Sequence, residues 1–126
     1  MSEFVLDSSA ILAVINLETG YVKVEPILRR SAASSVNIAE VLTKLVEKGV
    51  SLADALEEFL QLGIMVSDFG LIQAEKSAEL RPLTKHLGLS MGDRACLALA
   101  INEKATAVTA DTSWSSLTVC AIEVIR

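Results

Sequence analysis

Four acidic residues stand where the chain changes character. Asp7 directly follows the apolar run Phe4-Val5-Leu6, and Glu40 lies near the start of a helical stretch. Asp93 falls in the first turn of a very apolar one, and Asp111 comes just after Ala107-Val108-Thr109. No Lys or Cys nucleophile and no His adjoins them, so the donors they offer are oxygens. Such a set suits hard divalent cations: Mg²⁺ and Mn²⁺ prefer oxygen ligands and keep several waters that face a substrate. Ions of this kind generate hydroxide and clamp the attacking and leaving oxygens of a phosphodiester. Ser8, Ser9 and Thr109 lie beside the acids, where they either orient carboxylates and waters or serve as N-caps and strand ends.

Each acid also has a purely structural reading. Asp93 stands three residues after Ser90, as a capping residue would. Glu40 is one turn from Lys44, an ordinary i,i+4 ion pair off the apolar face. Asp111 suits an Asx turn or the cap of a short helix from Thr112 to Leu117. Asp7 is the hardest to dismiss, because it stands between two buried elements, where an unpaired carboxylate is costly and its retention points to a ligand role. His86 sits in a polar loop beside Lys85 and reads as solvated surface.

The elements that must position these acids alternate. Phe4-Val5-Leu6 reads as a buried strand, Asp7-Ser8-Ser9 as a turn with Ser as N-cap, and Ala10 to Ile15 as a buried helix. Tyr21 to Arg30 is a second helical stretch, leading to the short run Ala32 to Val36. Asn37, with Glu40 three positions on, predicts an N-cap, and Ile38, Val41, Leu42, Leu45 and Val46 recur at helical spacing until Gly49. Ser51 opens a further helix, with Leu52, Ala55, Leu56, Phe59 and Leu60 on one face and Gly63 at its end. Gly63 to Val66 is a third strand, followed by a helix from Leu71 to Leu80 that stops before Pro82 and a polar loop from Thr84 to Gly88. Ser90 then caps a helix in which Ala95 to Ile101 is apolar without a break; Ala107 to Thr109 is a fourth strand and Val119 to Val124 a fifth. Strands alternating with helices predict right-handed crossovers and a parallel sheet covered on both faces, with ligands bound at the carboxyl ends of the strands. Asp7, Glu40, Asp93 and Asp111 are expected to converge there.

Composition sets the outer bounds. The 126 residues, 52% AVILMFWYC with 2 Pro and 6 Gly, suit one domain over 1–126 and exclude a disordered tail. The uncharged stretch Ser8 to Leu17 is about half of the ~20 residues needed to span a bilayer, so no membrane association is expected. Met1-Ser2-Glu3 carries no basic region before the first apolar residues and no small-residue cleavage site follows, so the expected location is cytoplasmic. Cys96 and Cys120, far apart and without CxxC spacing, read as buried thiols rather than a disulfide or zinc site.

Four blocks in order, Leu-Asp-Ser-Ser-Ala, Asn-Ile-Ala-Glu-Val, Leu-Ser-Met-Gly-Asp-Arg-Ala-Cys-Leu-Ala-Leu-Ala and Thr-Ala-Asp-Thr-Ser-Trp, resemble the signature of PIN domains, specifically VapC-type toxins, over residues 4 to 114. The resemblance implies a three-layer α/β/α fold with a central five-stranded parallel sheet. It implies a homodimeric, Mg²⁺- or Mn²⁺-dependent endoribonuclease that is the toxin of a type II toxin–antitoxin pair. Carried over residue by residue, it makes Asp7, Glu40, Asp93 and Asp111 the metal-binding and catalytic quartet, with Ser8 and Thr109 in support. Some members carry a further acid a few residues beyond the last Asp; Ser115-Ser116 stand there, so a second metal would be weakly held.

The net charge of −5 argues against a nucleic-acid partner. Without the four acids the balance is 11 basic against 12 acidic residues, or −1, and a bound divalent ion supplies part of the positive charge that RNA phosphates need. Arg29, Arg30, Lys85 and Arg94 are candidates for backbone contacts. With 4% aromatic residues there is little material for base stacking, so shape and a presented loop would carry specificity. The helices over Asn37 to Lys48 and Ser51 to Leu62 offer apolar faces on which a small antitoxin protein would lay an amphipathic segment, with a basic side chain reaching the acids. Two other phosphoryl chemistries are disfavoured. A haloacid-dehalogenase-type phosphatase needs a second Asp at position 9, where Ser stands, and a response-regulator receiver needs an acidic pair and a late Lys that are not evident. The remaining alternative is a PIN-fold binding or scaffold module without turnover.

Overall fold

The computed structural model describes residues 2–126. Five strands, β1 (Phe4–Leu6), β2 (Ser31–Ser34), β3 (Met65–Ser67), β4 (Thr106–Thr109) and β5 (Ile122–Val124), form one all-parallel sheet in the order β3-β2-β1-β4-β5. The connections supply six α-helices: α1 (Ser8–Asn16), α2 (Tyr21–Val24), α3 (Ser35–Glu47), α4 (Leu52–Gln61), α5 (Leu71–Thr84) and α6 (Met91–Glu103). The three layers follow from the pleat, because successive residues of a strand face opposite sides. Leu6, Ala33 and Val108 bury against α1 to α4, whereas Val5, Ala32 and Ala107 bury against α6, Leu80 and Trp114. The fold is the three-layer α/β/α arrangement expected from the sequence. Among the described residues no helix is long and apolar enough to cross a membrane.

From β1 the chain moves outward through β2 to β3, then returns to add β4 on the other side of β1. The direction of winding therefore reverses between β1 and β4, and the crevice above their carboxyl ends is where an open parallel sheet binds ligands. Asp7 ends β1, and Asp111 lies just past β4.

Several local features differ from the sequence expectation, each for a physical reason. Asp7 itself, not a serine, caps α1: its Oδ1 accepts the Ala10 N–H at 2.9 Å. The stretch from Tyr21 tightens after one α turn into a 3₁₀ helix over Glu25–Arg30, with Pro26 at its start. Helix α3 begins at Ser35 under a Ser34 cap, so Asn37 lies within the helix. Helix α5 runs through Pro82 to Thr84. The proline removes one N–H from the last turn, but Leu80 and Thr84 are buried there and Thr84 Oγ1 donates to the Leu80 carbonyl at 2.9 Å. The fifth strand is confined to Ile122–Val124, because the chain still bends at Val119 and Cys120 after the 3₁₀ turn (Thr112–Ser116) that buries Trp114. On α4 only Ala55 and Phe59 are buried, while Leu52, Leu56 and Leu60 are exposed.

The carboxyl end of β4 is steadied from outside the sheet. Ile125 N–H donates to the Thr109 carbonyl at 2.9 Å, and the Ile125 carbonyl rests on Gly20, whose φ is +96° and whose missing Cβ would stand 2.4 Å from that oxygen. Gly20→Ala is therefore expected to lower stability by about 1 to 3 kcal/mol, through both the left-handed backbone and the displaced carbonyl. Thermal denaturation checks this, and an unchanged melting temperature would contradict it.

Candidate active site

Asp7 is 3% exposed and sits at the end of β1 with three donors and no cation. Ser9 Oγ donates to Oδ1 at 2.7 Å, the Ala10 N–H donates to the same oxygen, and Thr109 Oγ1 donates to Oδ2. Among the described residues no Lys, Arg or His forms an ion pair with it. Burial above all, with a smaller push from the Asp93 charge, raises its pKa from 3.8 to about 6 against the pull of the three donors. A carboxylate kept here without a counter-charge is a standing electrostatic cost.

The Thr109 hydroxyl links this centre to the fourth acid. While donating to Asp7, it accepts the Asp111 N–H at 3.0 Å, and the Ser9 hydroxyl accepts the Ala110 N–H at 2.9 Å, so the ends of β1 and β4 are laced through two side chains. Asp111 is exposed and caps the 3₁₀ turn over Thr112–Ser116, accepting from both the N–H and the Oγ of Ser113 at 2.9 and 2.8 Å. The capping role weighed for it from sequence is present, with the carboxylate still open to solvent.

The other two acids stand on α3 and in the first turn of α6, two helices that pack together. Asp93 forms a reciprocal capping box: its Oδ2 accepts the Ser90 N–H at 2.9 Å, and Ser90 Oγ accepts the Asp93 N–H at 3.1 Å. Glu40, half-buried in the second turn of α3, accepts from Asn37 Nδ2 at 3.0 Å rather than pairing with Lys44. Its carboxylate lies over Gly92, where an added Cβ would be only 2.3 Å from one of its oxygens.

Asp7 and the Asp111 backbone are thus joined through the Thr109 hydroxyl, Glu40 lies against the residue that precedes Asp93, and the charge of Asp93 acts on Asp7. Among the described residues no three acids, histidines or cysteines stand close enough to hold one ion between them. The donor set nevertheless fits Mg²⁺ or Mn²⁺: every candidate ligand is a carboxylate oxygen, one is buried without a cation, and such ions bind through one or two carboxylates while keeping most of their waters.

The supporting residues divide. Thr109 and Ser9 both donate to Asp7. Ser8, half-buried at the start of α1, faces a groove of about 520 Å³ shared with Val36, Ala39, Glu40, Thr43, Lys44 and Glu47. Sequence reasoning missed Asn37 and Gly92. In the sequence the asparagine has the look of a cap, and the signal for the glycine is its place in the first turn of a helix that otherwise excludes glycine. Two candidate RNA contacts are engaged elsewhere: Arg30 pairs with Glu3 at 3.3 Å at the amino ends of β1 and β2, and Arg94 Nη1 donates to the Ser77 carbonyl at 2.9 Å. Both cysteines are free thiols, their pKa raised by burial, Cys96 fully so.

Comparison with known proteins gives a match to the family model of the PIN domain over residues 4–119. Among solved structures, a toxin–antitoxin complex from Klebsiella pneumoniae superposes with a TM-score of 0.77 at 15% identity, covering 97% of each chain. DNA-bound VapBC from Salmonella typhimurium gives 0.76 at 19% over all of both chains. VapBC2 from Rickettsia felis, bound to a promoter DNA fragment, gives 0.75 at 21% over 98% of each. At these identities the likeness is one of fold. A comparison with curated protein sequences gives no match.

The Asp7 environment fixes the sign of a stability effect. Above about pH 6 the folded chain carries the desolvated charge; as pH falls through about 6 the folded state takes up a proton before the unfolded chain does at 3.8, and stability rises over that window. Asp7→Asn removes the charge at nearly constant shape, so without metal at pH 7 it is expected to be more stable than wild type by on the order of 1 to 3 kcal/mol, the gap narrowing by pH 5. Asp93→Ala, which loses half of a capping box, is expected to be less stable by roughly 0.5 to 1 kcal/mol. Thermal melts in EDTA at both pH values check this; a lower melting point for Asp7→Asn at pH 7 would contradict it.

Proposed function

The chain belongs to the PIN domain family, and from that premise we propose that it is a metal-dependent endoribonuclease, acting as a single domain and as the toxin of a toxin–antitoxin pair. The observation that carries this reading is the Asp7 carboxylate, buried at the winding reversal of the sheet with three donors and no cation. A group so placed lowers stability unless a positive charge arrives, and the other acids around it make that charge a divalent metal rather than a side chain. Solved structures described as VapBC or toxin–antitoxin complexes share the fold and support the antitoxin partner.

In this reading Asp7, Glu40, Asp93 and Asp111 hold Mg²⁺ or Mn²⁺. The chemistry such an ion supplies when bound is Lewis-acid polarisation of a phosphodiester and a lowered pKa for water. Thr109 and Ser9 hold the Asp7 carboxylate in one orientation, and the capping box does the same for Asp93, so neither acid must reorganise on binding. Asp111, at the open rim, takes the side nearest solvent. The groove beside Ser8 and Glu40 gives an RNA strand an approach, with Lys44 as the cation along it. The enzyme works in the cytoplasm, as a homodimer.

One observation favours the second reading, a PIN-fold binding module without turnover: no three acids stand within one ion's reach among the described residues. Purified protein separates the two. Cleavage of cellular RNA is expected with Mg²⁺ or Mn²⁺, to stop in EDTA, and to fall at least about a hundredfold in Asp7→Asn, which loses a charged oxygen ligand. Undiminished cleavage by Asp7→Asn, with a multiply substituted dead variant excluding contaminating nuclease, would refute the assignment. Expression with the neighbouring reading frames should yield a co-purifying small antitoxin. Recovery of the chain alone under those conditions would count against the toxin role.

A further inference from the structure

Asn37 is 1% exposed in the first turn of its helix, where a polar side chain so buried needs a reason. Its Nδ2 donates twice, to Glu40 Oε1 and to the Gly92 carbonyl, both at 3.0 Å. Two acceptors on that side leave only one orientation of the amide, with the NH₂ group toward them. The Oδ1 that results is buried and has no partner among the described residues. An amide that satisfies its donor side and leaves its acceptor orphaned is a poor choice for stability, since an apolar residue of similar size would avoid the unpaired carbonyl.

The double donation has a geometric consequence. Glu40 belongs to α3, and Gly92 belongs to the first turn of α6, next to Asp93. One side chain therefore fixes the Glu40 carboxylate against the backbone that carries Asp93. Gly92 supplies the space: a Cβ built there would meet Glu40 Oε2 at 2.3 Å, Oε1 at 2.5 Å and Cδ at 2.6 Å. No positive φ requires a glycine at this position, and a glycine in a helix is otherwise a loss relative to alanine. Both residues give up stability, and both do so at the same carboxylate.

We propose that Asn37 and Gly92 are positioning residues for the metal site, Asn37 holding the Glu40 carboxylate on the first turn of α6 and Gly92 leaving it room, so that Glu40 and Asp93 are presented to one cation together. The inference rests on the metal-binding reading given above but concerns the placement of one ligand, not its identity. Fixing a ligand through a hydrogen bond behind it raises affinity, and loss of such a support weakens metal binding by roughly 10- to 100-fold.

The test pairs two measurements on wild type, Asn37→Leu and Gly92→Ala: Mn²⁺ affinity by isothermal titration calorimetry, and thermal denaturation in EDTA. A merely structural role predicts that both variants melt lower while any Mn²⁺ affinity is kept. The positioning role predicts the reverse. Gly92→Ala, a better helix former that displaces the flexible end of Glu40, melts at or above the wild-type temperature; Asn37→Leu melts within a few degrees of it; and both bind Mn²⁺ at least tenfold more weakly. Should Asn37→Leu fail to fold, Gly92→Ala alone decides, because its clash falls on a side chain and not on backbone. Wild-type Mn²⁺ affinity retained in Gly92→Ala overturns the proposal and leaves the metal reading intact, whereas wild type that binds no Mn²⁺ overturns both.

Discussion

Everything around the candidate site is arranged about a carboxylate that folding has buried without neutralising. Asp7 could have been solvated or paired with a base; instead it closes a buried strand, opens a buried helix and receives only neutral donors. Neutral hydrogen bonds stabilise the anion, yet they do not recover its hydration, and its pKa rises to about 6. The short elements on either side are what make this possible. Strand β1 ends where the winding of the sheet reverses, and Asp7 stands at that end as the cap of α1.

The residues nearest Asp7 then have coherent roles. Thr109 and Ser9 lock its orientation and tie β1 to β4, which also fixes where Asp111 emerges. The Asp93 capping box holds a second acid close enough for its charge to raise the Asp7 pKa. Structural and functional readings of the same residue do not compete here. Asp93 and Asp111 cap their helices, and capping is what holds each carboxylate still. Rigidity of this kind suits a hydrated divalent ion, which tolerates one or two direct ligands but binds better when they need not be ordered first.

Much of this was legible in the sequence because it depends on order and polarity. Alternating buried strands and helices gave the parallel sheet, and the four-block resemblance agrees with the PIN domain match over residues 4–119. What escaped depends on contacts across the fold. Asn37 and Glu40, three apart, look like a cap and its partner; only the packing of α3 on α6 turns the amide toward Gly92. Ser8 and Ser9 are equivalent in a string of letters, and the first turn of α1 decides that Ser9 faces Asp7. Pro82 marked a helix end that burial of Leu80 and Thr84 overrides. The basic residues were legible as charges but not as occupied ones, since Arg30 and Arg94 already serve Glu3 and the Ser77 carbonyl.

In the proposed enzyme a divalent cation at the carboxyl ends of β1 and β4 offsets the burial of Asp7. The most direct measurement is anomalous diffraction from crystals of this chain soaked in Mn²⁺. An anomalous peak is expected at the Asp7 carboxylate, bound directly or through one water, with Glu40, Asp93 or Asp111 completing its surroundings. A well-ordered Asp7 with no peak beside it, or Mn²⁺ only at acids on the outer surface, would contradict the account.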